Sequence, residues 1–210
     1  MDRDTVVRAA LKLLDEVGLA GLSLRRLAKD LGVQAPTLYW YFKGKQELLD
    51  QMAAAAMNKP SAEPMPEPGD SWDAWLAWMA RGMRQAMLAH RDGALLVTQA
   101  SPPDDQWDAL EIIVAALVKS GFTPVDAIRG IGTLTNFVTG TVLEEQQRTD
   151  QNGLAGRVDP ATHPTLAAAV VTDIHPDQRF EHGLTLILAG MAGQLRAGGG
   201  DLQPAHSSVA

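Results

Sequence analysis

The sequence predicts an all-α protein in which a small N-terminal helical domain precedes a larger helical domain. Apolar residues recur at spacings of three and four along most of the chain, as they do on one face of a helix. No stretch alternates apolar and polar residues as a strand would. The chain has 210 residues, of which 46% are hydrophobic, so it is long enough for a small domain and a larger one.

Composition and missing motifs exclude several classes of protein. The chain has no cysteine, so disulfides and thiolate metal sites are excluded. Its five histidines form no H-x-x-x-H pair, and it lacks the motifs G-x-S-x-G and H-E-x-x-H and a glycine-rich phosphate loop. We therefore expect no enzyme activity, no cofactor and no metal site. The N-terminus lacks an apolar signal core and no apolar run reaches about 18 residues, which predicts a cytoplasmic protein without a membrane partner.

The first helix is predicted from about Arg3 to Val17. Asp2 or Asp4 can cap its start, apolar residues follow at helical spacing, and Gly18 is expected to end it. This helix should support the segment that follows.

Residues 24–45, LRRLAKDLGVQAPTLYWYFKGK, are the most informative stretch, because they predict two short helices joined by a tight turn. The Ser23 side chain can accept a hydrogen bond from a free backbone N–H at the start of the first helix. Gly32 supplies a left-handed residue that ends this helix. Pro36 suits the first turn of the second helix, where its missing N–H costs little. The pattern is that of a helix-turn-helix.

The second helix of this hairpin carries Thr, Tyr and Trp on the side that its apolar residues, Leu38 and Phe42, leave to solvent. These side chains suit contact with the methyl groups, base edges and phosphates of a DNA groove. Charge supports this interpretation, because residues 1–50 hold eight basic and seven acidic residues, while the rest of the chain holds ten and eighteen. The alternative is a surface hairpin whose aromatic residues pack on another domain.

Beyond the hairpin, the sequence predicts a connecting helix, a proline-rich loop at residues 60–69, and a helical body. Residues 149–163 are polar and contain Gly and Pro, which predicts a loop, and residues 197–210 predict a disordered tail. The expected domain limits are 1–46 and 47–196. The predicted helical spans are about 45–57, 72–90, 94–99, 104–120, 123–148, 164–171 and 177–196.

The segments GLSLRRLAKDLGV and APTLYWYFKGKQELL resemble the signature of the tetracycline-repressor (TetR) family of transcription regulators, and this match covers residues 3–50. The segments SWDAWLAWMARGMRQAMLAHRDGALLV and TNFVTGTVLEEQQ resemble the ligand-binding core of tetracycline repressors proper. The resemblance implies a three-helix DNA-binding domain followed by a ligand-binding and dimerisation domain. It implies a homodimeric repressor that binds a palindromic operator in double-stranded DNA and is released by a small molecule.

The resemblance and the hairpin together predict the DNA contacts. Arg25 and Gln34 are the candidates for reading base edges. Ala35 stands where tetracycline repressors carry a base-reading glutamine, so the operator sequence should differ. The proline and threonine that follow can contact thymine methyl groups, and the aromatic residues and Lys45 can lie on phosphates. The predicted set is Leu24, Arg25, Gln34, Ala35, Pro36, Thr37, Tyr39, Trp40, Tyr41 and Lys45.

When the tetracycline-binding site of those repressors is compared with this sequence position by position, residues that bind magnesium there are replaced here. A histidine and a threonine after the RDGA segment read Val97 and Ala100 here, and a glutamine on the next helix reads Ile113. Magnesium needs oxygen ligands, which these side chains lack, whereas the glutamate near the end of the long helix persists as Glu144. The resemblance therefore implies an apolar, ring-containing inducer bound without metal. The predicted ligand-binding residues are Trp75, Trp78, Met79, Met83, Val97, Ala100, Pro102, Ile113, Leu117, Ile131, Thr135, Phe137 and Glu144.

The last helix contains residues 183–195, GLTLILAGMAGQL, and is apolar almost all round. Gly190 and Gly193 allow another helix to come close, and the resemblance implies that a second subunit covers this helix, in a four-helix bundle formed by the last helix and the preceding long helix of each chain. The alternative is a central helix buried within one chain.

The Trp and Met residues of residues 72–87 can equally form an ordinary core without a cavity. Functional alternatives are an activator, a regulator without a ligand, and an α-helical enzyme or carrier for an apolar metabolite.

Overall fold

The computed structural model describes residues 1–58, 64–67, 69–101, 106–147, 158–172 and 175–198. These residues form ten helices and no strand, which confirms the predicted all-α class. No helix in this part of the chain is long and apolar enough to cross a membrane. The helices are α1 (Arg3–Gly21), α2 (Leu24–Asp30), α3 (Ala35–Leu38), α4 (Lys45–Met57), α5 (Trp72–Leu88), α6 (Gly93–Gln99), α7 (Gln106–Lys119), α8 (Pro124–Gln147), α9 (Pro164–Thr172) and α10 (Pro176–Gly198).

Helix α1 has a kink at the position where the sequence predicts its end. Its start is capped as expected, because the Asp2 side chain accepts a hydrogen bond from the Thr5 backbone N–H at 2.7 Å. Gly18 has a φ of 71° and a ψ of 171°, so the helical path breaks there, but a further turn continues to Gly21. A positive φ of this size is readily adopted by glycine. The expected stop is therefore a kink.

Helices α2 and α3 form the predicted helix-turn-helix. The Ser23 hydroxyl accepts from a backbone N–H of the first turn of α2 at 3.3 Å, and Gly32 has a left-handed φ of 67° after that helix. Helix α3 is shorter than the pattern suggested. After Leu38 the next three backbone N–H groups bond to carbonyls three residues back, which tightens the chain into turns. The Lys43 backbone N–H then donates to the Glu47 side chain at 2.7 Å, and α4 begins.

The body helices follow the predicted order. Helix α8 begins at Pro124, and the Thr123 hydroxyl accepts from the Asp126 backbone N–H at 3.1 Å. Helix α10 extends to Gly198, two residues into the segment predicted as a disordered tail. The rest of that segment and most of the predicted loop at 149–163 lie outside the described residues.

Two apolar clusters form the core, and α6 belongs to both of them. Helices α1 to α4 surround the first cluster, to which α6 contributes the fully buried Leu96. Helices α5, α7, α8 and α10 surround the second cluster, which includes Ala94 of α6. The buried side of α4 lies in the first cluster. Packing therefore does not divide the chain at residues 46 and 47, and that domain boundary remains a prediction.

We predict that Leu96→Ala lowers the free energy of unfolding by about 2–5 kcal/mol, because it leaves a cavity in the first cluster. Thr98→Ala, at an exposed position of the same helix, should change it by no more than about 0.5 kcal/mol. Urea denaturation followed by circular dichroism measures both values. Equal losses for the two variants would show that α6 is not part of the first core.

Candidate functional site

The hairpin keeps large aromatic residues exposed. Trp40 is 88% exposed and Tyr39 is 58% exposed, whereas Leu38 and Phe42 beside them are buried in the first cluster. An exposed indole gains by burial against a partner, so this surface is suited to contact. Among the other predicted DNA-binding residues, Arg25, Gln34, Pro36 and Lys45 are exposed, while Leu24, Ala35, Thr37 and Tyr41 are partly buried.

Contacts from α1 and α4 brace the hairpin. Arg3 forms an ion pair with Glu47, and its guanidinium carbon lies 5.0 Å from the centre of the Phe42 ring. The hydrogen bond from the Lys43 backbone N–H and the Arg3 contact together lower the pKa of Glu47. The Tyr41 hydroxyl donates to the carbonyl of the first residue at 2.8 Å. Arg3 and Glu47 are 44 positions apart, so no sequence pattern pointed to their contact.

Two clefts open on the body. The larger, about 660 Å³, lies between residues 64–67 and α5, and the smaller, about 110 Å³, lies between α8 and the start of α10. Of the predicted ligand-binding residues, Trp78 lines the larger cleft, and Phe137 and Glu144 line the smaller one. The other residues of the smaller cleft are Thr141, Glu145, Pro176 and Arg179.

Most of the other predicted ligand-binding residues pack inside the protein, and neither cleft collects them. Val97 packs against both apolar clusters, and Ala100 packs against the first. Trp75 meets Trp78 edge-on, with ring centres 6.1 Å apart. Thr135 is half-buried, and Pro102 lies outside the described residues. The residues in or against the second cluster are Met79, Met83, Ile113, Leu117, Ile131 and Phe137.

Charged residues join α5, α8 and α10 beside the smaller cleft. The Arg84 guanidinium donates to Glu145 at 3.0 Å, lies 2.7 Å from an Asp177 oxygen, and sits 4.9 Å from the centre of the Phe180 ring. Phe180 stacks on Phe137, with ring centres 5.6 Å apart. The Arg84 side chain is only 12% exposed, and its Nε has no hydrogen-bond partner among the described residues. A nearly buried cation thus packs on Phe180, which in turn stacks on Phe137, a residue that lines the cleft.

Carboxylates line the rim of the same region. The Glu144 side chain is 58% exposed and lies 3.5 Å from Arg179, so its charge is solvated and needs no buried donor. Arg81 donates to both carboxylate oxygens of Glu181 at 2.8 and 2.7 Å, which lowers the pKa of Glu181 against the opposing effect of burial. These two partners are 100 positions apart, and sequence reasoning missed them. In the part of the chain described, no group of three His, Asp or Glu residues is arranged to hold a metal ion.

One face of α8 and α10 is open within the chain. Leu186 is 60% exposed and Ile128 is 41% exposed. A Cβ atom built at any of four glycines of these helices would meet no atom within 4 Å. The four are Gly132, Gly140, Gly190 and Gly193.

The opposite face of α10 packs within the chain. Leu184 and Met191 are buried in the second cluster. Inside the chain, close approaches occur at Gly130 and Gly183, where Met191 and Phe137 fill the space of a Cβ atom, and the approach of a second subunit at Gly190 and Gly193 stays a prediction. The alternative of a central helix thus holds for one face of α10 and not for the face with the open glycines.

Comparison with known proteins covers both halves of the chain. Residues 6–52 match the family model described as bacterial regulatory proteins, tetR family. Residues 65–195 match the model described as tetracyclin repressor-like, C-terminal domain. The chain is 40% identical over 193 residues to the tetracycline repressor protein class A from transposon 1721 of Escherichia coli, a match that covers 90% of this chain and 89% of that protein.

Two solved structures from Streptomyces coelicolor are similar over nearly the whole chain. A possible TetR family transcriptional regulator from strain A3(2) is 37% identical with a TM-score of 0.81, and the match covers 91% of this chain and 99% of that one. The TetR family protein ActR in complex with actinorhodin is 29% identical with a TM-score of 0.77, over 92% of this chain and 96% of that one.

Proposed function

This chain belongs to the tetR family of bacterial regulatory proteins, and on that premise we propose that it acts as a homodimer on a palindromic operator and is released by an apolar, ring-containing small molecule. Membership makes it a ligand-responsive, DNA-binding transcription repressor rather than an enzyme. The dimer, the palindrome and the class of inducer are the parts that we propose.

The observation that carries the DNA interface is the exposed Trp40 on a hairpin braced by Arg3 and Glu47. Such bracing holds the hairpin ready for binding and reduces the entropy lost on contact. The aromatic residues and Lys45 lie on phosphates, and Arg25 and the residues at the start of α3 meet base edges and methyl groups. In a dimer the two hairpins reach successive major grooves, about one helical turn apart or somewhat more.

The open face of α8 and α10 supports the dimer. Four glycines leave the backbone of these helices accessible, and Leu186 and Ile128 add apolar surface. A second copy of the same face would bury these side chains and bring the helices close together. A symmetric pair is the commonest oligomer of soluble proteins, and it fits a palindromic operator.

The body supports an inducer without metal. Val97, Ala100 and Ile113 offer no ligand atoms to magnesium. Tetracycline repressors and the actinorhodin complex of ActR are both similar to this chain, which favours a ligand with several rings.

The smaller cleft must widen to admit such a ligand. Its volume of about 110 Å³ lies below the roughly 300–1,000 Å³ of drug-sized pockets. Met79 and Met83 pack against the adjoining cluster and are unbranched, so they can shift to make room. Glu144 at the rim can accept a hydrogen bond from a hydroxyl, amine or amide of the ligand.

The larger cleft falls within the size range of drug-sized pockets and places Trp78 where a ring can stack.

We predict that two substitutions in the hairpin region separate non-specific from specific binding. Lys45→Ala should weaken binding to all duplexes alike and lower the slope of log affinity against log salt by about one. Arg25→Ala should cost roughly 1–3 kcal/mol on the preferred duplex and relax selectivity at one position per half-site. Fluorescence anisotropy on an operator selected from a random pool measures both.

Lys119→Ala is the control, because this exposed lysine lies on α7, outside the hairpin. It should bind like the wild type. Equal losses of specific and non-specific binding in the two hairpin variants would contradict the division of roles.

We predict that Gly190→Glu abolishes the dimer and operator binding together. A Cβ atom there meets no atom within 4 Å and the position is exposed, so the monomer fold should persist while the charged side chain blocks the second copy. Ala116→Glu, at an exposed position of α7, should stay dimeric. Analytical ultracentrifugation measures the oligomeric state, and a wild-type chain that sediments as a monomer at micromolar concentration would refute the dimer.

We predict that a multi-ring apolar compound such as actinorhodin quenches the tryptophan fluorescence and releases the operator, with and without EDTA. Trp78→Phe should remove more of the quenching than Trp107→Phe, because Trp107 lies on the exposed side of α7. Tetracycline is the comparison compound, because the site of tetracycline repressors that this sequence resembles binds it together with magnesium. Release by tetracycline that depends on magnesium would contradict the prediction.

A further inference from the structure

A single side chain of α8 holds the turn between α5 and α6. The Gln146 Nε2 group donates to the carbonyls of Met87 at 3.2 Å and His90 at 2.8 Å, and its Oε1 accepts from the Ala94 backbone N–H at 3.1 Å. The Met87 carbonyl lies at the end of α5, the His90 carbonyl lies in the turn, and the Ala94 N–H lies at the start of α6. Both carbonyls also accept a backbone N–H, from His90 at 3.4 Å and from Gly93 at 3.1 Å, so the amide adds a side-chain bond from α8 to each of them.

The same turn is fastened to α1 from its other side. Asp92 has a left-handed φ of 55°, and its carboxylate accepts from the Leu19 backbone N–H at 2.8 Å, one residue beyond the kink of α1. The Asp15 carboxylate accepts from the Arg91 backbone N–H at 3.0 Å and lies 3.1 Å from Nδ1 of His90. A left-handed conformation is uncommon for a residue other than glycine, and here the bond to α1 helps to hold it.

We propose that Gln146 is a positioning residue that sets the orientation of helices α1 to α4 on the body and so selects the half-site spacing that the protein reads. The inference rests on the proposed dimer and its palindromic operator. Apolar packing keeps α5 and α8 together without the amide, because both helices contribute to the second cluster. That packing is non-directional, whereas three hydrogen bonds fix the angle of the turn. In a dimer this angle sets the separation of the two hairpins.

Selectivity for operator spacing tests the proposal. The probes are a palindromic duplex selected from a random pool by the wild-type protein, and two versions with one base pair inserted or removed at its centre. The wild type should bind the altered duplexes at least about tenfold more weakly, because DNA must twist to restore the spacing. Gln146→Met keeps the length of the side chain and removes all three hydrogen bonds. In this variant the ratio of affinities between the selected duplex and the altered duplexes should fall by a factor of about three or more, as expected for an ordinary net hydrogen-bond contribution.

Gln147→Met is the matched control, because Gln147 is the exposed neighbour of Gln146 on α8. It should keep the wild-type ratio of affinities. An unchanged ratio in Gln146→Met, with dimer and Tm equal to those of the wild type, would overturn the inference and leave the proposed function standing. A wild type that binds all three duplexes equally would overturn both.

A second variant guards against loss of folding. Asp15→Ala removes the contacts of the Asp15 carboxylate with His90 and with the Arg91 backbone N–H, at a side chain that is 43% exposed. It should relax the spacing ratio in the same direction as Gln146→Met. If Gln146→Met does not fold, an unchanged ratio in Asp15→Ala overturns the inference.

Discussion

Leu96 of α6 is fully buried among the N-terminal helices, and Ala94, two residues earlier, is fully buried among the helices of the body. A helix of seven residues has little stability of its own, so α6 depends on both clusters that pack against it. Its far end is tied to α4, where the Gln46 side chain donates to the Gln99 carbonyl at 2.8 Å. The DNA-binding helices therefore cannot shift on the body without disturbing one end of α6.

Each unit is held together by apolar packing, and the two units are joined both by α6, which packs in the two clusters, and by polar contacts at the α5–α6 turn. Each cluster is built from aliphatic and aromatic side chains, whereas the junction at the α5–α6 turn uses Gln146, Asp92 and Asp15. Hydrogen bonds depend steeply on geometry, so a small displacement exchanges one bonded arrangement for another. Packed interiors resist gradual deformation. This combination suits a protein with two alternative orientations of its DNA-binding unit.

Local signals in the sequence predicted the fold because they act over a few residues. Caps at Ser23 and Thr123 and left-handed Gly32 marked helix ends that the structure reproduces. The early end of α3 reflects a competition between carbonyl acceptors, because the three N–H groups after Leu38 bond to carbonyls three residues back rather than four. That competition is invisible in a periodic pattern, and so is the kink at Gly18.

The candidate site was harder to predict than the fold. A stripe that contains Met79 and Met83 has the same spacing whether it lines a cavity or a core, so periodicity could not distinguish the two. The ion pairs of Arg84 with Glu145 and of Arg81 with Glu181 join residues 61 and 100 positions apart, which only the tertiary fold brings together. The predicted ligand-binding set therefore stays a prediction, and only Trp78, Phe137 and Glu144 of that set line a cleft.

The open glycines of α8 and α10 bear on how such regulators multiply in a genome. A bacterium that duplicates a repressor gene has two nearly identical chains whose mixed assemblies would confuse both circuits. Where helices approach at bare backbone, as proposed at Gly190 and Gly132, a methyl group on one copy enters the mixed dimer once and that copy's own dimer twice. A duplicated regulator therefore becomes independent only when a second substitution on the same face makes room for the first.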